Sequence, residues 1–280
     1  MPFTITHPRL AYRTEGTAGP CVLLIMGFGM VGLAWRPQLE ALRDAYRVAA
    51  YDHLGLGESD PAPPRPTMLT MAKDTTRVLD ALGWPSAHVV GVSMGGMIAQ
   101  ELALLVPARV RSLTLFATHA GGVLASLPSA EGMLRFAQAN VGAPAQRIEA
   151  LKRLLYTPEF LASTDMEALD RRLADAASRR APWETLRGQL HAIRCHRTEG
   201  RLGRIRTPTL VVRPGRDLLV SPDNGDRLAR AIPGARVARF DDAGHGVTFQ
   251  CADALNRELA SHLAAAEAKL VTTGGALEAS

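Results

Sequence analysis

The stretch HVVGVSMGGMIAQ, residues 88–100, crowds three glycines around one serine and then turns into a helical pattern. Gly91-Val92-Ser93-Met94-Gly95 fits G-x-S-x-G, a five-letter pattern that chance supplies often. Its surroundings decide its meaning, because the pattern must follow a strand and open a helix. AHVVGV, residues 87–92, is a continuous apolar run of the kind expected for a strand covered on both faces. MGGMIAQELALLV, residues 94–106, is long enough for a helix and stops at Pro107. A sharp turn between the two strains the serine backbone and exposes its Oγ. The residues two positions away must then be very small, which gives Gly91 and Gly95 a steric reason. The helix start also aims free N–H groups toward developing negative charge.

Working outward, CVLLIMG (residues 21–27), YRVAAYD (46–52) and RSLTLFA (111–117) read as further buried strands. Leu69, Ala72, Thr76, Leu79 and Leu82 fall at steps of three and four, and Gly83 then Pro85 end that helix. The alternation predicts an α/β fold: a mostly parallel central sheet with helices on both faces. The rhythm breaks near His119. From there to Arg206 the chain reads as helices punctuated at Pro128, Pro144, Pro158 and Pro182. It resumes with TPTLVVR (207–213), a helix over 223–232 and ARVARFD (235–241). A last helix carries Phe249, Ala252, Leu255, Leu259 and Leu263 on one face. The expected organisation is a core of residues 1–119 and 206–268, an inserted helical cap over 120–205, and a flexible tail over 269–280.

The 280 residues, 47% hydrophobic and 21% charged, suffice for one large domain with a sizeable core. A net charge of +5, with no Lys/Arg run flanked by aromatics, argues against a nucleic-acid partner. Cys21, Cys195 and Cys251 lie far apart without metal spacing, which fits a reduced compartment and no metal site. MPFTITHPRLAYR does not read as a signal peptide, and no run approaches about 18 apolar residues. The chain is therefore expected to be cytoplasmic, off the membrane, and a monomer or homodimer.

A serine alone is a poor nucleophile and needs a base, itself oriented by an acid. In the α/β-hydrolase arrangement, which this strand–elbow–helix pattern resembles, the acid and then the histidine follow the serine. Beyond the strand at 207–213 only His245 and His262 remain. His262 sits within the last helix and reads as a solvated side chain. His245 lies in DDAGHGV and Asp217 in RPGRDLLVSP, each just after a strand, where open α/β sheets place ligands. Asp223 is better explained by a helix start, and Asp242 would have to fold back over three residues to reach His245. The segment after Ala117 offers Thr118 and His119 but no carboxylate.

With these residues placed, the chain resembles the α/β-hydrolase superfamily over nearly its whole length, through GVSMGG, YDHLGLGESD, PGRDLLVSPDNGDRLARAIPGA and DDAGHG. LLIMGFGMVGLAW resembles the loop that follows the family's third strand, with Met26 where a histidine is common. The resemblance implies backbone N–H groups of Phe28 and Met94 as the oxyanion hole, and a catalytic set of Ser93, Asp217 and His245. It implies acyl transfer on a small ester or acyl substrate, with no cofactor. DHLGLGESD resembles a structural turn of the family in which Gly55 and Gly57 shape a loop near the site. Phe136, Tyr156 and Trp183 are candidate pocket residues of the cap. The ten arginines from Arg171 to Arg206 raise an acid-bearing substrate, against the plainer reading of a solvated helix face. Carbon–carbon bond hydrolysis and haloperoxidase-like chemistry share the same set of three residues. A ligand receptor of the same fold with little or no turnover is the alternative outside enzymes.

Overall fold

The computed structural model describes residues 1–122, 125–176 and 181–277. The apolar runs become strands: β1 (Tyr12–Glu15), β2 (Cys21–Ile25) and, after helix α1 (Arg36–Leu42), β3 (Arg47–Tyr51). Helix α2 (Met68–Ala81) leads to β4 (Ala87–Val92), α3 (Met94–Leu105) and β5 (Val110–Phe116). Then come five helices: α4 (Ala130–Asn140), α5 (Pro144–Leu155), α6 (Pro158–Ser163), α7 (Met166–Ala176) and α8 (Trp183–Cys195). Strand β6 (Thr209–Pro214), α9 (Pro222–Ala231), β7 (Arg236–Phe240), α10 (Val247–Gln250) and α11 (Ala252–Leu277) complete the chain.

Among the described residues the strands form one seven-stranded sheet in the order β1-β3-β2-β4-β5-β6-β7. Only β1 runs antiparallel, against β3. Alternation along each strand sends side chains to two cores. Val22 and Leu24 pack with Leu39 and Leu42 of α1 and with Leu255, Leu259 and Leu263 of α11. Leu23 and Ile25 pack on the other face with Leu79 of α2, Ile98 of α3 and Leu228 of α9. Each such buried aliphatic side chain contributes roughly 1.5–3 kcal/mol.

After β3 the chain crosses back over β2 to lay down β4, so the connections leave β2 and β4 on opposite sides. That reversal opens a crevice at the carboxyl ends of these two neighbours, where ligands of open α/β sheets bind. The loop after β2 and Ser93 after β4 both lie there.

The helical insertion leaves and rejoins the core at one seam. Gly121 bridges Arg197, and the Thr198 N–H donates to the Ala120 carbonyl at 2.8 Å. Pro144 and Pro158 open α5 and α6, where a missing N–H costs nothing, and Pro182 immediately precedes α8.

Three details depart from the sequence reading. The buried face of α2 is Met68, Met71, Ala72, Thr75, Val78 and Leu79, rotated by about one position, which leaves Leu69 exposed. His262 is buried, not solvated, because it lies three residues beyond Leu259 on the side of α11 that covers the sheet. Helix α11 continues to Leu277, through most of the stretch expected as a tail, and residues 278–280 lie outside the described residues. Among the described residues, no helix is long and apolar enough to cross a membrane.

Candidate active site

Ser93 holds φ 53° and ψ −119°, left-handed territory that a residue with a side chain rarely occupies. The surroundings fix it there. Its N–H donates to the Phe116 carbonyl at 2.8 Å, and its carbonyl accepts the Thr118 Oγ1–H at 2.7 Å. A Cβ on Gly91 would sit 2.3 Å from the Gly95 carbonyl oxygen, and one on Gly95 would sit 2.1 Å from that of Ile25. Both glycines are therefore steric requirements of the turn. Ser93 is presented to the cavity while Met94, fully buried, begins α3.

Asp217 and His245 come together from the ends of β6 and β7. The Gly215 N–H donates to the Phe240 carbonyl and the Arg216 N–H to that of Ala243, both at 2.9 Å, which ties the two loops side by side. His245 Nδ1 lies 2.7 Å from Asp217 Oδ2. The other carboxylate oxygen accepts the N–H groups of Leu219 and Val220, so the acid is oriented by its own turn. Both side chains are buried. Asp223 and Asp242 are exposed, the former in the first turn of α9. Among the described residues no hydrogen bond joins Ser93 to His245. Proton transfer requires that pair to close to about 2.6–3.2 Å.

The loop after β2 is held in part by the first residues of the DHLGLGESD turn. His53 Nε2 donates to the Met26 carbonyl at 2.9 Å, and Asp52 accepts the Gly32 N–H at 2.7 Å. Burial pushes the His53 imidazole down, so it remains a neutral donor. From the insertion, the Gln189 carboxamide accepts the Gly29 N–H at 2.9 Å. The Phe28 N–H has no acceptor among the described residues, and the Met94 N–H, first in its helix, has no intrahelical one. Those are the two donors expected of an oxyanion hole.

Ser93, His245 and Phe28 line a cavity of about 360 Å³ between the sheet edge and the insertion. That volume suits a small molecule. Phe136 and Tyr156 line it too, and Phe136 meets Phe28 with ring centroids 5.4 Å apart. Trp183 does not: it is 58% exposed, at the first turn of α8 facing away. Four polar residues that the sequence reading did not assign to the site join the wall, His119, Asn140, Arg147 and Thr248, together with Arg172 from the arginine-rich stretch. Burial pushes the His119 imidazole down to about 4. Of the ten arginines from Arg171 to Arg206, Arg172 alone lines the cavity among the described residues. Arg179 and Arg180 lie outside the described residues. A larger groove, about 760 Å³, reaches Asp217 from outside but touches neither Ser93 nor His245.

Comparison with known proteins agrees with this architecture. A protein of Azorhizobium caulinodans, named as a candidate carbamate hydrolase (RutD), is 34% identical over 252 residues, covering 89% of this chain and 93% of its own. A hydrolase from Pseudomonas aeruginosa superposes with a TM-score of 0.79 at 30% identity, over 94% of this chain and 97% of that one. An enol-lactonase from Burkholderia xenovorans gives a TM-score of 0.81 at 26% identity, over 94% and 100%. The family model for the alpha/beta hydrolase fold matches residues 20–250. The chain belongs to the alpha/beta hydrolase family.

Proposed function

We propose that the protein is a serine hydrolase that cleaves a carboxylic ester, or a related acyl bond such as a carbamate, of a small organic molecule. The observation that carries this reading is the shared cavity: Ser93 faces it, and so does His245, held on Asp217 at 2.7 Å. In the first step His245 Nε2 takes the Ser93 proton as Oγ attacks the carbonyl. Asp217 keeps the imidazole in the tautomer that accepts at Nε2 and stabilises the cation that forms. The Phe28 and Met94 N–H groups hold the oxyanion; loss of one such donor typically costs about 10²–10³ in rate. The leaving group departs with the proton from His245, and water attacks the acyl-enzyme by the reverse route. Residues 120–205 serve as the cap over the site, with Phe136 and Tyr156 shaping the acyl pocket. The named carbamate-hydrolase relatives favour carbamates, and the lactonase neighbour favours cyclic esters, as first substrates to try.

The test is a panel of aryl and alkyl esters, lactones, thioesters, carbamates and β-diketones, together with labelling by a fluorophosphonate. Turnover of esters or carbamates with one phosphonate on Ser93, both lost in Ser93→Ala, is the expected result. Turnover confined to β-diketones moves the chemistry to carbon–carbon cleavage. A protein that turns over none of these and takes up no phosphonate is not a serine hydrolase.

A further inference from the structure

The cavity wall is apolar except at a few points, and its charge is one-sided. Two guanidinium groups line it, Arg147 from α5 and Arg172 from α7, and among the described residues no aspartate or glutamate does. Arg147 uses its Nε–H on the Ala139 carbonyl at 3.3 Å. Arg172 is placed more firmly. Its guanidinium carbon sits 4.1 Å from the centroid of the Phe249 ring, and one terminal N–H donates to the Ala34 carbonyl at 2.9 Å. The Tyr156 hydroxyl is its electrostatic neighbour. Among the described residues neither arginine is paired with a carboxylate. The acid nearest Arg172 in electrostatic terms, Glu40, is engaged 2.7 Å from Arg36.

This is an unusual state for an arginine. A half-buried cation is normally compensated by an acid, since desolvating it alone is costly. Burial pushes the Arg172 guanidinium down from its ordinary range, yet arginine keeps its charge in proteins. The Phe249 face and the Ala34 carbonyl offset part of the cost. They also fix the plane of the fork. With five N–H donors and one hydrogen-bond acceptor among the described residues, the Ala34 carbonyl, Arg172 has donors left over, and Tyr156 has a hydroxyl proton to add beside it. A planar, preset, cationic fork is the arrangement that carboxylates bind best.

We propose that the substrate carries a free carboxylate besides the bond that is cleaved, and that Arg172, with Arg147 contributing long-range attraction, holds that carboxylate in the cavity. The inference rests on the serine-hydrolase reading for which bond reacts, but not for the anion site itself. The anion sits on the His245 side. The Tyr156 ring packs so closely on the following residue that a Cβ on Gly246 would meet its Cε1 at 2.5 Å. A neutral ester of the same shape leaves the arginine uncompensated and is the poorer substrate.

The experiment compares the mono-4-nitrophenyl ester of glutaric acid with its methyl ester, which differs by the charge. The wild-type kcat/KM should favour the anionic ester, and Arg172→Gln should reduce that ratio about 10- to 100-fold, mainly through KM. Arg172→Lys keeps the charge but not the fork and should fall between. Arg171→Gln, on the exposed neighbour paired with Glu167, should leave the ratio unchanged. In parallel, glutarate binding is measured by calorimetry on Ser93→Ala, with and without Arg172→Gln. Equal use of both esters by the wild type, or a ratio that Arg172→Gln does not move, overturns the inference and leaves the hydrolase reading intact. If neither ester reacts and no phosphonate attaches, the hydrolase reading fails. Glutarate binding that depends on Arg172 then still decides the anion site, and its absence rejects it.

Discussion

His245 Nδ1 lies 2.7 Å from Asp217 Oδ2, and the remaining oxygen of that carboxylate accepts two backbone N–H groups of its own turn at 2.8 and 2.9 Å. One side of Asp217 therefore holds His245 and the other its own turn. Asp217→Asn keeps an acceptor for the turn but offers His245 a donor, which imposes the wrong tautomer. Turnover should drop by about 10⁴ with little change in thermal stability. Asp217→Ala removes the turn acceptor as well and should cost about 1–3 kcal/mol in addition. Ester kinetics and thermal melts on the two variants separate the roles; full activity in Asp217→Asn would exclude this acid.

The glycines of the elbow, required by their neighbours, differ sharply from a glycine required only by its backbone. Gly95→Ala drives a methyl to 2.1 Å from the Ile25 carbonyl, so the strand-to-helix turn must shift. It should destabilise by about 3 kcal/mol or more and abolish phosphonate uptake. Gly83, at φ 64° with open space around it, carries strain alone, and Gly83→Ala should cost only about 1 kcal/mol and leave labelling intact. Urea unfolding with parallel labelling checks both.

Gln189 reaches from α8 to the Gly29 N–H, next to the candidate oxyanion donor of Phe28. In the proposed reaction it touches no reacting atom and would act by positioning. Gln189→Ala frees that N–H and loosens the loop, which should lower kcat about tenfold while leaving KM nearly unchanged. Gln189→Glu restores an acceptor and should recover most of the loss. A fall in KM and kcat together would point instead to a general disturbance of the insertion.

Buried histidines give the stability a defined pH dependence. Burial pushes His262 down to about 4 and His196 to about 3 from an ordinary 6.5, so the folded protein favours their neutral forms. Stability from these groups is complete above about pH 6.5. It is lost as the pH falls toward 4, where the unfolded chain binds protons that the folded one does not. Each contributes a slope of up to about 1.4 kcal/mol per pH unit in that window. Denaturant unfolding between about pH 7 and pH 4 should show the decline, and His262→Gln should flatten it by about one proton; an unchanged slope rejects the assignment.

Local chemistry made the parallel strands and the elbow legible. Continuous apolar runs mark strands covered on both faces, and only glycines fit on either side of Ser93. The pairing of Asp217 with His245 followed from their places after strands. Strand β1, the four residues YRTE, escaped because an edge strand half open to solvent has little apolar pattern. The buried face of α2 came out one residue off because two adjacent helical stripes there are nearly equally apolar. His119 and Gln189 were invisible as site residues, and Arg172 could not be told from its nine fellow arginines, for another reason: packing of the insertion on the core, not local spacing, brings them to the site. The same packing turns Trp183 outward, where its aromatic character had marked it for the pocket.

The seam at Gly121 and Arg197 has an evolutionary consequence. A segment whose two ends meet at adjacent points of a sheet behaves as an exchangeable cassette. Its replacement need not re-register the strands that carry Ser93, Asp217 and His245. New cavity walls can then be sampled by trading residues between the seam, while Ser93, Asp217 and His245 are inherited unchanged. The bond between the Gly29 N–H and Gln189 limits that freedom, since an incoming cassette must bring its own acceptor for this N–H or leave the loop after β2 less firmly held.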